Sequence, residues 1–391
     1  MTITLPPRTW QLIADAAPGA YEHIQPHSVH VAMCSPPFYA KRDYDPNDPD
    51  WLQLGQEDEP EQYITNLVAC LDPIRKLLHR NGSLIVNIGD TYAGSGGSGG
   101  DYNSGGLREG QPGYEGTGAK ARRGTAVPDP RLGHDRIEGG VTGRRGHGAG
   151  GYANHKPKDL IGIPWMLAQA MKAAGWYWRS DIIWAKPNPM PEGPGDRPAG
   201  SHEYVWLFTP TATTWWDHFA VQEPARPKRI KRPGKSTLKL TAPKRLRRSV
   251  WSIQVSGGYR SKAIGAHHAT YPEDLAALAI MATTSEIGVC SECGAQPRRL
   301  THRGPEDKQL YHDGWELPEC GHEWKPTGAT VLDPFNGAAT TALAALRRGR
   351  SYIGIEPVAT NIALSVERIQ AKLPLMASRG DVLHPPQART A

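Results

Sequence analysis

The chain is poor in cysteine and phenylalanine, with 5 and 4 residues in 391, against 12 tryptophans and 14 tyrosines. So few thiols exclude a disulfide scaffold. Three of them, Cys290, Cys293 and Cys320, cluster in a way that favours a metal over disulfides. No stretch approaches the 18 or so consecutive apolar residues of a membrane span, so none is expected. Met1 to Ala20 lacks the basic start and the apolar run of about 7–15 residues that mark a secretory signal, which points to a cytoplasmic protein. With 21% charged residues, 43 glycines and 35 prolines, the composition fits neither a coiled coil nor a collagen.

What is present is unevenly distributed. Twenty glycines lie between Gly94 and Gly151, a stretch with almost no apolar periodicity. Such a segment cannot bury enough surface to offset its ordering entropy and reads as a flexible insertion. The net charge of +6 is equally local: Arg226 to Arg248 holds eleven Lys/Arg and no acid, which leaves the remainder of the chain at −5.

Between these blocks, strands alternate with helices. Val29–Cys34 is a short apolar strand, Tyr63 to Leu78 has helical spacing, and Ser83 to Asp90 is a second buried strand. A helix over Ile163 to Ala174 precedes strands over Tyr177 to Trp184 and Glu203 to Phe208. A further helix from Pro272 to Ile280 is followed by a strand at Ala329 to Leu332, a helix from Thr340 to Arg348, a strand from Ser351 to Ile355 and a helix from Val358 to Lys372. This alternation predicts an α/β domain with a mainly parallel sheet.

Two strand ends carry chemistry. After the third-last predicted helix, Asp333-Pro-Phe-Asn-Gly337-Ala-Ala-Thr-Thr341 runs from a strand into a helix, and Glu356 closes the next strand. A tight turn brings backbone N–H groups to a ligand, and an acid about 20 residues later suits ribose hydroxyls. With one glycine in place of a G-x-G-x-x-G run, the turn suits a nucleoside without a diphosphate, as in S-adenosylmethionine. Ser35-Pro36-Pro37-Phe38 ends the first strand. Its prolines remove two donors and leave carbonyls that only accept. Ser35 Oγ and the Pro36 carbonyl could take the protons of an exocyclic amine and aim its lone pair at a methyl group, with Phe38 stacked on a base swung out of the duplex. Alone, either segment is also compatible with an ordinary turn after a strand.

Together they resemble the β-class DNA amino-methyltransferases, whose motifs are S-P-P-Y/F and D-P-F-x-G-x-G-T-T, in that order. Asn87-Ile-Gly-Asp-Thr-Tyr92, Asp159 to Trp165, Gly175 to Pro191, His202 to Phe208, Ser249-Val-Trp251 and His268 to Asp274 resemble further family blocks. The resemblance implies a Rossmann-like S-adenosylmethionine-dependent methyltransferase fold with circularly permuted motif order. It implies Ser35, Pro36, Pro37 and Phe38 as catalytic, and Asp15, Asp333, Pro334, Phe335, Gly337, Thr340 and Glu356 as cofactor-binding. Double-stranded DNA is the expected substrate and a restriction endonuclease a potential cognate partner, in a bacterium or a phage-infected cell. Ser at position 35 is more typical of cytosine-N4 enzymes, with adenine-N6 methylation as the alternative. A non-catalytic nucleic-acid-binding protein of the same fold is a further alternative, since the family's second glycine is Ala339 here, after Ala338. Carbon-5 methylation needs a thiolate nucleophile, and Cys34 reads as a core residue.

Cys290-x-x-Cys293 and Cys320-Gly-His322 offer a Cys₃His set for structural zinc, although His302 and His312 lie in the same loop. Lys228, Arg229, Lys231, Arg232, Lys244, Arg245, Arg247 and Arg248 are the expected phosphate contacts, in the region where family members recognise their target. The expected organisation is a catalytic half (1–92), a Gly-rich insertion (93–157), the methyltransferase domain continued (158–208) and a basic segment (209–250). A cofactor-binding half (251–288 and 325–375) follows, interrupted by a zinc-ribbon-like insertion (289–324) and ending in a tail (376–391).

Overall fold

The computed structural model describes residues 8–41, 53–93, 154–156, 158–189, 196–225, 244–255, 259–261, 265–267, 271–305 and 309–384. Most of the Gly-rich insertion and residues 226–243 of the basic segment, with Lys228, Arg229, Lys231 and Arg232, lie outside the described residues. The chain divides into two compact units, one of residues 1–36, 69–88 and 171–391, the other of residues 37–68 and 89–170.

The first unit is built on a nine-stranded sheet. Its strands are β1 (Trp10–Ile13), β2 (Val29–Cys34), β3 (Leu78–Ile88), β4 (Tyr177–Ala185), β5 (His202–Thr209), β6 (Val250–Ser252), β7 (Thr330–Asp333), β8 (Ser351–Ile355) and β9 (Gly380–Leu383). They lie side by side in the order β9-β1-β8-β7-β2-β3-β5-β4-β6. Only the β3/β5 and β5/β4 pairs are antiparallel, so the sheet is mainly parallel as expected. β2 is buried along its whole length. That is what a largely apolar run does when both faces of a parallel sheet are covered.

Four helices, α1 (Pro60–Leu71), α2 (Ile74–Leu77), α3 (Ile163–Ala173) and α4 (Glu273–Thr283), precede α5 (Thr340–Arg347) and α6 (Ala359–Lys372). In the first unit α4 packs on β2 and β3, and α5 on β7 and β8. Leu275, Ala276, Ala279 and Ile280 of α4 and Ala342, Leu343 and Leu346 of α5 join Val31, Met33 and Val331 in one hydrophobic cluster. The alanines let the two helices approach each other and the sheet closely.

The excess of tryptophan over phenylalanine has a reason in the antiparallel half of the sheet. Trp184 of β4 donates its ring N–H to the Ile253 carbonyl (2.8 Å), and Trp251 of β6 donates to that of Arg248 (3.0 Å). Both are buried, and both tie strand to loop in a way that phenylalanine could not.

The second unit holds the turn after β2, the start of α1 and the start of α3. Tyr92 bridges Leu160, and the Ala93 amide bonds to the Asp159 carbonyl (2.8 Å), so the chain leaves for the insertion and returns from it at neighbouring points. Asp90 caps α3, its Oδ1 accepting from the amides of Gly162 and Ile163, each at 3.0 Å. Such a cap is worth about 1 kcal/mol.

The residues from Met376 on, expected as a tail, include β9, which pairs in parallel with β1 at the sheet edge. Both strands are four residues long, too short for periodicity to register, and the backbone of β1 provides the template. Among the described residues no helix is long and apolar enough to cross a membrane.

Candidate active site

The sheet order creates the site. Chain order runs outward in one direction from β7 to β8 and in the other from β2 to β3, so the boundary between β7 and β2 is a topological switch point. In open α/β sheets the crevice beyond the carboxyl ends of such a strand pair is where ligands bind. The register pairs Val331 with Val31 and Leu332 with Ala32, residues 300 positions apart in sequence. Ser35-Pro36 and Asp333-Pro334 therefore leave the same edge of the sheet side by side.

Asp333 is 2% exposed, and its carboxylate is engaged by the chain itself. Oδ1 accepts from the Phe335 amide (3.0 Å), and Oδ2 accepts from the Thr341 hydroxyl and from Tyr271 OH (3.3 Å). Burial pushes its carboxyl from 3.8 up to about 6, against the pull of those three donors. The acid thus shapes the turn from within, and Pro334 is buried beside it while Phe335 and Gly337 are half-buried. The expected cofactor residue Thr340 is buried, and its hydroxyl accepts from Arg368 of α6 (2.8 Å).

Glu356, at the end of β8, is 6% exposed. One oxygen accepts from the Gly337 amide (2.8 Å), the other from the Val358 amide and Asn361 Nδ2, both at 3.1 Å. Burial raises this carboxyl from 4.5 to about 7 despite those bonds. Each carboxylate oxygen can accept two bonds, so Oε2 keeps a free acceptor position. Asp15 is half-buried just beyond β1, its Oδ1 accepting from the Ala16 amide (2.7 Å).

The sequence assigns no role to Asn336, which lies within the turn motif. It proves to be the turn's fastening. Its Nδ2 donates to the Gly337 carbonyl (3.0 Å) and to Ser365 Oγ of α6 (2.9 Å), while its Oδ1 accepts from Tyr352 OH (2.8 Å). Gly354 makes room for this: a Cβ there would lie 2.7 Å from Asn336 Oδ1 and 2.8 Å from Tyr352 OH. Next along, Ala339 takes the left-handed conformation (φ 59°, ψ 35°) at the start of α5, where a glycine would carry no steric cost.

Ser35 is half-buried and Pro36 buried in the first unit. Neither Ser35 Oγ nor the Pro36 carbonyl has a hydrogen-bond partner among the described residues. In the second unit the Pro37 carbonyl is taken by Tyr63 OH (2.8 Å), and Lys41 N–H bonds to the Phe38 carbonyl (3.3 Å). Of the two proline carbonyls, that of Pro36 is the one with both acceptor positions open among the described residues. Cys34 is fully buried, and burial pushes its thiol well above the ordinary range, which leaves no thiolate for carbon-5 chemistry.

Along the same edge, Asn87 near the end of β3 donates to Glu203 (3.0 Å) and to the Tyr204 carbonyl (3.2 Å) of β5. Glu203 also pairs with Lys186, whose Nζ sits 4.6 Å from the centre of the Trp184 ring. The segments that hold these residues resemble family blocks, but the sequence does not show that they meet, since they come from three strands that only the sheet brings together.

A family model for DNA methylases, covering the N6 and N4 enzymes, matches residues 29–366. The chain belongs to the DNA methylase family. Two relatives, the Type II methyltransferases M.XycI of Xanthomonas campestris pv. cyanopsidis and M.Cfr9I of Citrobacter freundii, are each 30% identical to it over 347 residues, 88% of this chain and 82% of theirs. The Type II methyltransferase M.SmaI of Serratia marcescens is 28% identical over 362 residues, 93% of this chain and 91% of its own. Among solved structures, the PvuII DNA methyltransferase (cytosine-N4-specific) has a TM-score of 0.51 at 15% identity, covering 97% of this chain and 96% of that one, a likeness of fold. The strand that ends in Ser35-Pro36-Pro37-Phe38, β2, comes before the strand that ends at Asp333, β7, which is the permuted order the resemblance implies.

Two further clusters lie in the first unit. Sulfur and nitrogen ligand atoms of Cys290, Cys293, Cys320 and His322 all fall within 4.8 Å of one another. The alternative histidines are engaged elsewhere: His302 bonds to Asp313 (2.6 Å), and His312 packs against Phe219 and Trp315. The insertion they belong to closes at its base, where Val289–Cys290 pairs with Pro326–Thr327, and holds a hairpin of Arg298–Arg303 with Leu310–Glu316.

The described end of the basic segment is partly committed to the fold. Glu223 is buried and pairs with Arg245 and Arg248, both at 2.7 Å. Burial alone would raise its carboxyl, but the bonds from Arg248 and Arg245 prevail and hold it below the ordinary range. Arg247 donates to the Val221 carbonyl (2.8 Å), while Lys244 is exposed. The expected strip of free cations is thus narrowed at this end, because a buried carboxylate needs charged partners.

Proposed function

We propose that the chain is a Type II, site-specific DNA methyltransferase that uses S-adenosylmethionine to methylate the exocyclic amine of a flipped base, with cytosine N4 as the target. The observation that carries the reading is the meeting of Ser35-Pro36 and the Asp333–Gly337 turn at the switch point of one sheet. The Type II relatives, matched over most of their own length, support the DNA substrate and a cognate restriction endonuclease. The residues present fit the cofactor: the free acceptor position on Glu356 suits a ribose hydroxyl, Phe335 and Gly337 suit the methionine end, and Asp15 the adenine side.

S-adenosylmethionine supplies an electrophilic methyl carbon and a neutral thioether leaving group. The chain's part is orientation. Ser35 Oγ and the Pro36 carbonyl accept hydrogen bonds from the two amine N–H groups, which pulls the nitrogen toward a tetrahedral shape and turns its lone pair to the methyl carbon. As the N–CH₃ bond forms and the S–CH₃ bond breaks, one of those protons leaves the nitrogen for solvent. Phe38 stacks on the base. Nothing here requires a covalent intermediate, so the rate enhancement rests on positioning, which can contribute about 7–11 kcal/mol. Lys228, Arg229, Lys231, Arg232, Lys244, Arg245, Arg247 and Arg248 are read as DNA-contacting, with binding that weakens steeply as salt rises. Cys290, Cys293, Cys320 and His322 are read as ligands of one structural Zn²⁺, with no position left for substrate.

The test is to incubate the protein with DNA and S-adenosylmethionine, digest, and identify the modified nucleoside by mass spectrometry. N4-methyldeoxycytidine is expected. N6-methyldeoxyadenosine would overturn the base assignment, and no methylated nucleoside would overturn the enzyme.

A further inference from the structure

His30 is the single polar residue in the β2 run Val29-His-Val-Ala-Met-Cys34, and it is 3% exposed. A buried imidazole must satisfy both ring nitrogens or carry a desolvation cost. Here both are satisfied by backbone. The Thr330 amide, at the first residue of β7, donates to Nδ1 (3.0 Å). That leaves the ring hydrogen on Nε2, which lies 2.9 Å from the Gly294 carbonyl and donates to it. The tautomer is thereby fixed.

Gly294 directly follows Cys293, and its amide bonds back to the Cys290 carbonyl (2.9 Å), closing the Cys290–Cys293 turn. Its φ of +71° is a left-handed value, and a Cβ there would lie 3.1 Å from His30 Nε2. Glycine therefore serves both the turn and the close approach of its carbonyl to the imidazole. From β3, His79 stacks on His30 (5.6 Å between centroids, 16° between planes). The other half of the metal cluster is set by Cys290 Sγ, 3.8 Å from His322 Nδ1. Tetrahedral zinc, with bonds of about 2.3 Å to sulfur and 2.0 Å to nitrogen, separates such a pair by about 3.5 Å.

We propose that this cluster is a latch on the amino end of the catalytic strand, with His30 as the positioning residue that transmits it. The inference rests on reading Cys290, Cys293, Cys320 and His322 as one zinc site. The metal holds the Cys290–Cys293 turn against Cys320 and His322. The turn holds Gly294 against His30, and His30 holds the start of β2 to the start of β7. These are the two strands whose far ends present Ser35 and Asp333. Five residues of strand, about 16 Å, separate His30 from Ser35, so the metal acts through the strand pair and not on reacting atoms. By reciprocity, whatever the metal contributes to holding His30, His30 contributes to holding the metal.

The test uses the full chain purified without chelator. Metal content is measured by atomic emission, and release is followed with a colorimetric chelator. Wild type should hold about one equivalent of zinc. His30→Ala should still bind it but release it about 10-fold faster, the effect typical of a hydrogen bond behind a ligand. Gly294→Ala, which presses a methyl group on His30 from the loop side, should act in the same direction. Leu317→Ala, at a residue 45% exposed in the same insertion, should release metal like wild type. If either variant fails to fold, hydrogen exchange on wild type replaces it, with Val31–Cys34 amides losing protection when the metal is stripped. Less than about half an equivalent in wild type overturns the zinc reading and the latch with it. A full equivalent released at the wild-type rate from both variants, or unchanged protection in the stripped protein, overturns the latch alone.

Discussion

Glu356 offers a sharp test of the cofactor site, because its titration and its proposed role pull in opposite directions. Burial holds the carboxyl at about 7 in the folded chain against an ordinary 4.5. Between those values the folded state binds more protons than the unfolded one, so stability falls as pH rises from 4.5 through 7. At about 1.4 kcal/mol per pH unit, ionising the group in place costs on the order of 3 kcal/mol. A ribose hydroxyl donating to the free position on Oε2 favours the ionised form, so cofactor binding should release a proton below pH 7. The dissociation constant for S-adenosylmethionine should then be about 30-fold weaker at pH 5.5 than at pH 8. Glu356→Gln removes the titration. Its amide NH₂ would face the Gly337 N–H, now 2.8 Å from Oε2, and the lost charge-assisted bond should weaken binding about 10- to 100-fold at pH 8. Calorimetry in buffers of different ionisation enthalpy reads both affinity and proton release. A wild-type affinity that is flat from pH 5.5 to 8, or a Glu356→Gln protein that keeps the pH dependence, would refute the assignment.

Other outcomes follow from the same geometry. Ser35→Ala and Phe38→Ala should lose methyl transfer while binding S-adenosylmethionine as wild type does, and turnover near wild type in both would sink the mechanism. Asn336→Ala strips three side-chain hydrogen bonds and strands the buried Tyr352 hydroxyl. It should cost about 3 kcal/mol in urea unfolding, with a loss below about 1 kcal/mol counting against its role as the fastening. Ala339→Gly relieves a left-handed alanine, worth about 1–2 kcal/mol, against an entropy cost of about 0.5–1 kcal/mol. The unfolding midpoint should rise slightly with cofactor affinity unchanged, and a fall would show that the Ala339 methyl contributes packing that outweighs the strain.

Sequence by itself determined most of the elements and the residue types that stand at their ends. β2 was legible because a short, largely apolar run that stops at Ser35-Pro36-Pro37 reads as a buried strand. The turn from Asp333 and the acid at Glu356 were legible because residue types and spacing encode a strand–turn–helix unit and its neighbour. The Cys₃His set was legible from close pairs, although choosing His322 over His302 and His312 needed distances. Tertiary structure decided what depends on residues far apart in the chain. It placed β7 beside β2, which brought two motifs to one edge of the sheet. It turned Asp333 inward and gave Asn336 and Tyr352 the work of holding the turn. It recruited Gly380–Leu383 as an edge strand, and it tied Arg245 and Arg248 to a buried Glu223. Local sequence sets which way a side chain can point along its own strand or helix. What it meets there is set by the neighbouring strand, and hydrogen bonding and desolvation act on that neighbour.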